Sequence, residues 1–122
     1  MKSVRVISAA VAVAVILAGC SFASKEQREA ENITKAVIAN NMTPVIGDFT
    51  PLAQTKITRV AVAELSDELN SQGAFHGLKP TTKKCPPAFT CFIATYDKAT
   101  YFERIRLSSD GKVASWWTHN TQ

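Results

Sequence analysis

The chain lacks most of the residue patterns through which small proteins perform chemistry. It has two histidines, His76 and His119, in 122 residues, and neither has further ligand-type residues at metal-binding spacing. No Gly-rich phosphate loop and no Gly-x-Ser-x-Gly nucleophile elbow occurs. There is no CxxC pair, which removes the thioredoxin-type redox signature. A basic helix stripe is missing, as are RRM, KH and zinc-finger patterns, so nucleic acid is not an indicated partner. No internal repeat is visible. At this length, these absences point away from an enzyme and away from any cofactor or metal.

What is present begins at the N-terminus. Lys2 and Arg5 precede an apolar run from Val6 to Gly19, broken only by Ser8. As a helix the run would span roughly 20 Å, short of a ~30 Å hydrocarbon core. A charged start, an apolar middle and a small-residue end are the layout of a secretory signal peptide. The residue after Ala18-Gly19 is Cys20, which such a peptide does not require. Leu17-Ala18-Gly19-Cys20 resembles the lipobox of bacterial lipoproteins, a likeness confined to residues 1–21. The resemblance implies cleavage before Cys20, a diacylglyceryl group on its thiol and acylation of the new amine. Two or more acyl chains anchor stably at ~0.8 kcal/mol per buried CH₂, where one would not. In enteric-type members of the family an Asp after the cysteine favours the inner membrane. Ser21 stands there, so the resemblance implies the outer membrane. The residue pattern does not set which side the domain faces; the periplasmic side is the expectation.

The expected organisation is therefore a signal peptide over 1–19, a lipidated tether over 20–25 and one small domain over 26–122. The whole chain carries 14 basic and 10 acidic residues; without Lys2 and Arg5 the balance is 12 against 10. The basic isoelectric point belongs partly to the leader. Setting Cys20 aside leaves Cys85 and Cys91, an even pair in an exported chain. The intervening Pro86-Pro87-Ala88-Phe89-Thr90 can turn the chain enough to bring them into disulfide range. So short a loop contributes about 2 kcal/mol by chain-entropy reasoning.

Ser24 with Gln27 three residues on forms a capping-box arrangement, and predicts a helix from about Lys25 to Asn40. Pro44, Gly47-Asp48 and Thr50-Pro51 mark residues 42–54 as loop, with Val45-Ile46 as a candidate short strand. A second helix is expected over Thr55–Leu69, with Ile57, Val60, Ala61, Leu65 and Leu69 on its apolar stripe. Its acids Glu64, Asp67 and Glu68 read as a solvated face, since acid–base work needs carboxylates that converge on a cleft. Residues 74–90 read as a long connection. Phe89–Tyr96, Thr100–Leu107 and Lys112–Asn120, rich in aromatic and β-branched residues, read as a three-stranded meander. The fold class is α+β: one or two helices on a small antiparallel sheet.

Trp116 and Trp117 are adjacent in a strand, so they point to opposite faces. A two-residue Asp110-Gly111 turn would set Arg104 opposite Trp117, Phe102 opposite His119 and Ile105 opposite Trp116. Phe92, Tyr96, Ile105, Leu107 and Trp116 would then share the core face. Phe102, Arg104, Arg106, Trp117 and His119 would share the other, a candidate partner-binding patch. Two alternatives stand beside it. The helix over 25–40 could cover the patch, or a three-residue bulged loop could shift the register and turn Trp117 inward.

The functional expectation is a non-catalytic binding or scaffold lipoprotein that docks an envelope protein partner within an envelope, secretion or conjugation assembly. A small anchored inhibitor or exclusion factor against a hydrolase, phage or plasmid is the first alternative. A small envelope hydrolase is the second.

Overall fold

A computed structural model describes residues 23–122. Cys20 and the lipobox lie outside the described residues. The element order is α1 (Lys25–Ile38), a 3₁₀ turn (Ile46–Asp48), α2 (Pro51–Thr55), α3 (Arg59–Asn70), then strands β1 (Phe75–Thr81), β2 (Thr90–Tyr96), β3 (Thr100–Leu107) and β4 (Val113–Asn120). The strands form one antiparallel sheet in the order β1-β2-β3-β4. The architecture is α+β, as the sequence predicts.

Helix α1 starts where the capping pattern places it, with the Gln27 N–H donating to Ser24 Oγ at 3.0 Å. It buries Ala30, Ile33, Thr34, Ala36 and Val37, and Asn40 follows in the left-handed region at φ 52°. The expected helix over 55–69 divides instead. Pro51 at the first position and the Thr50 cap give the short α2, consistent with Pro being pre-organised there. Thr58 then caps α3 by accepting the Ala61 N–H at 3.1 Å. Five residues at about 100° each put Val60 roughly 140° around α3 from Leu65, so the two do not share a face. Val60 is 67% exposed and Ala61 is exposed, while Leu65, Ser66 and Leu69 turn inward. Val45-Ile46 is not a strand: Val45 is buried ahead of the 3₁₀ turn.

The segment 74–90 contributes a fourth strand. Phe75-His76-Gly77-Leu78-Lys79-Pro80-Thr81 has little strand propensity, yet pairs with β2 from Phe75↔Tyr96 to Thr81↔Cys91 through a bulge after Phe75. Pro80 is tolerated because β1 is an edge strand. The core joins α1, Val45, Phe49 and Leu69 to the inward residues Phe92, Ala94, Tyr96, Tyr101, Ile105 and Val113.

The last hairpin unites both predicted loop forms. Ser108 N–H donates to Lys112 C=O at 2.7 Å, closing a three-residue loop, with Gly111 at φ +85°. The loop alone would slip the register. A second irregularity cancels the slip: Leu107 pairs with Val113 and Arg106 with Ser115, so Ala114 is an extra residue in β4. Beyond it Ile105↔Trp116, Arg104↔Trp117 and Phe102↔His119 pair as expected. Trp117 consequently faces outward.

Candidate binding face

Alternation along the paired strands places Lys79, Thr81, Cys91, Ile93, Thr95, Phe102, Arg104, Arg106, Ser115, Trp117 and His119 on the sheet face opposite the core. Of these, only the bridged Cys91 is buried. Helix α1 buries its apolar stripe in the core on the other face, so the helix-covered alternative does not hold. The face carries Lys79, Arg104 and Arg106 and no carboxylate.

Arg104 is the centre of this face. Its guanidinium carbon lies 4.3 Å from the Trp117 ring centroid and 5.0 Å from that of Phe89. Arg106 approaches Phe89 from further out, at 5.7 Å. The row continues from Trp117 to His119 at 4.2 Å and from His119 to Phe102 at 5.6 Å. An Arg between aromatic rings is held by the ring quadrupoles and keeps its planar N–H fork for a carboxylate or phosphate. Arg104 Nε is buried without a hydrogen-bond partner among the described residues. Trp117 is 42% exposed.

The structure thus brings Phe102, Arg104, Arg106 and Trp117 together, and adds Phe89. Phe89 reaches the row because Cys85 and Cys91 are bridged, with S–S 2.12 Å and Cα–Cα 5.7 Å. The loop between them turns through Ala88 at φ 72°, and the Phe89 N–H donates to Pro86 C=O at 3.2 Å. Since Cys91 sits across from Arg104 in the ladder, the loop sets the Phe89 ring beside that guanidinium. The signal was the two-residue distance from Phe89 to Cys91, which only the pairing of β2 with β3 makes meaningful.

The two histidines have other occupations. His119 belongs to the aromatic row. His76 Nε2 lies 2.6 Å from Asp97 Oδ1, while Asp97 Oδ2 accepts the Ala74 N–H at 2.8 Å. The His76 contact first, then that N–H, holds the Asp97 carboxyl below the usual carboxylate range. The pair clasps the start of β1 to the β2–β3 turn. Among the described residues no Ser, Thr or Cys side chain hydrogen-bonds to His76. No cluster of three metal-ligating side chains occurs among them either.

A further feature escaped the pattern reading. Glu103 is fully buried on the inner face between Tyr101 and Ile105. Thr34 Oγ1 lies 2.9 and 3.0 Å from its two oxygens, and Trp116 Nε1 donates to it at 3.3 Å. Burial, only partly offset by these contacts, raises its pKa from 4.5 to about 7. Thr34 has one hydroxyl proton and a second acceptor in Ala30 C=O at 2.8 Å. A protonated Glu103 resolves that competition by donating to Thr34, which then donates to Ala30.

Comparisons of the chain with protein-family models, with curated proteins and with solved structures find no match.

Proposed function

We propose that this chain is a lipid-anchored outer-membrane lipoprotein whose open sheet face binds a protein partner in the bacterial envelope, without catalysis. The anchor rests on the lipobox-like Leu17-Ala18-Gly19-Cys20. The binding role rests on one observation above all: the Phe89–Arg104–Trp117–His119 row on a sheet face that no other described element covers. Trp, Tyr and Arg dominate the energetics of protein interfaces. A rigid indole with a guanidinium already stacked on it loses little conformational freedom when a partner arrives.

Two measurements test this. Mass spectrometry of the membrane-extracted protein should find a mature chain starting at acylated Cys20; another N-terminus removes the anchor. For the face, Trp117→Ala should abolish co-purification of the partner cross-linked in envelopes and leave Tm within a degree or two. A retained partner removes the binding role, and a fall of several degrees places Trp117 in a core instead.

A further inference from the structure

The two edges of the sheet differ in a way that bears on how a partner would dock. Edge strand β1 carries Gly77, Lys79 and Pro80, residues that blunt an edge against pairing. Edge strand β4, Val113–Asn120, carries no Pro, Lys or Gly. Its first residue is already used. Thr50 N–H donates to Val113 C=O at 2.9 Å, and Phe49 bridges Val113 in parallel. The chain adds one step of strand there and then leaves for α2.

Past Val113 no described residue continues the pairing. The bond from Thr121 N–H to Thr100 C=O, at 3.1 Å, makes that a hydrogen-bonded pair. Antiparallel ladders alternate such pairs every second residue. Trp117 and His119 therefore aim their main-chain groups at β3, while Trp116, Thr118 and Asn120 aim theirs outward. Among the described residues these outward groups have no backbone partner from another element.

Beside this edge runs a groove of about 330 Å³, lined by Met42, Ile57, Val62, Leu65 and Trp116 among others, with Lys56 as its charge and no carboxylate. Val60, 67% exposed, sits on the first turn of α3, next to Ala61 and Val62 of that lining. Leu52, 69% exposed, sits on α2, which packs on β4. Trp117 lines the groove and also belongs to the outer face.

We propose that an extended segment of a partner protein, alternately apolar and acidic, adds to β4 as a fifth strand. This deepens the binding role proposed above and rests on it for the partner's existence. Ser115–Asn120 offers roughly 20 Å of edge at about 3.4 Å per residue. The segment's inward side chains enter the groove. Its outward ones lie beside Trp117, within reach of Arg104, where the charge available is positive. A second copy of this chain fits poorly, because edge-to-edge pairing would set Lys56 and Arg104 against their own kind with no carboxylate on either lining or face.

The test uses the mature lipidated protein in detergent micelles and a synthetic alternating Glu-Val peptide, with the matching Lys-Val peptide as control. The Glu-Val peptide should slow amide exchange at Trp116, Thr118 and Asn120 about tenfold or more, as new main-chain hydrogen bonds do. The Lys-Val peptide should bind about tenfold more weakly or worse. Thr118→Pro removes an outward N–H and spares the β3 ladder, so it should abolish the protection. Val62→Glu, which touches no ladder, should do so through charge in the groove if the proline variant fails to fold. Unchanged exchange, or equal binding by the Val62→Glu variant, overturns the proposal. So does protection of the same amides without peptide in a sedimenting dimer, which gives the edge to a second copy. Partner capture lost in Trp117→Ala but kept in Thr118→Pro removes strand addition and leaves the binding face. Peptide-induced protection with no Trp117-dependent partner removes the binding face and leaves the edge.

Discussion

Glu103 and Arg104 are neighbours in sequence, an acid beside a base, yet the pleat of β3 sends them to opposite faces and they never pair. The carboxyl group is sealed under α1 with a threonine and an indole N–H for company. The guanidinium lies outside between two aromatic rings. The inner face spends burial to hold a polar group that a hydrophobe could replace. The outer face keeps apolar and charged groups where water reaches them. A residue type thus says little about burial here; its parity in the strand says nearly everything.

The contrast is broken most severely by truncating the inner face. Ile105→Ala should cost about 2–5 kcal/mol, read by chemical denaturation, while the adjacent outward Arg106→Ala should change stability by less than about 0.5 kcal/mol. Equal effects would mean that the outer face is a second core.

Glu103→Gln sharpens the comparison through pH. The native pKa, about 7, lies above the unfolded value of 4.5, so the native state holds the proton more tightly. The associated stability is complete below about 4.5, declines as pH rises toward about 7 and is gone above it. At 1.36 kcal/mol per unit the decline is about 3 kcal/mol. Glu103→Gln should therefore be more stable than the parent above pH 7 by up to that amount, with a flatter profile below. Glu29 is also raised to about 7, by burial and then by Asp48, and would supply the slope that remains. A profile as steep as the parent's would show that Glu103 titrates normally.

The disulfide gives a smaller effect, and it divides the two faces differently. Replacing Cys85 and Cys91 together by Ser should cost about 2 kcal/mol and release Phe89 from Arg104. Near-ultraviolet circular dichroism should register the altered Trp117 environment while the far-ultraviolet spectrum holds. An unchanged near-ultraviolet spectrum would mean that Phe89 keeps its place without the bridge.

The meander and its faces were legible in the sequence because Phe89–Tyr96 and Thr100–Leu107 alternate strongly and Asp110-Gly111 marks a turn. Strand β1 was not, since Gly77, Lys79 and Pro80 argue locally against a strand that only pairing with β2 stabilises. The start of α3 was misread because Thr55 and Thr58 both resemble caps, and the choice between them depends on Pro51 having already started α2; Val60 was misplaced separately, since five residues of helix turn it away from Leu65. The patch residues were legible as a set from parity. Phe89 was not, because its place is set by a covalent bridge rather than by strand period. Glu103 was readable from the same parity, sitting between Tyr101 and Ile105, but its charge argues for the surface.

The extra residue in β4 has a consequence for how the chain can change length. Val113 and Trp116 both face inward although three positions separate them, and Ala114 absorbs the mismatch. Losing Ala114 would leave a regular ladder in which every later side chain keeps its side. Losing Ser115 would do the same, because Ala114 would take its outward place opposite Arg106. Losing Trp117 or Thr118 would instead reverse side chains, either beyond the gap or, if the bulge is absorbed, between Ala114 and the gap. Within this strand, tolerance to deletion is concentrated at the bulge, Ala114-Ser115.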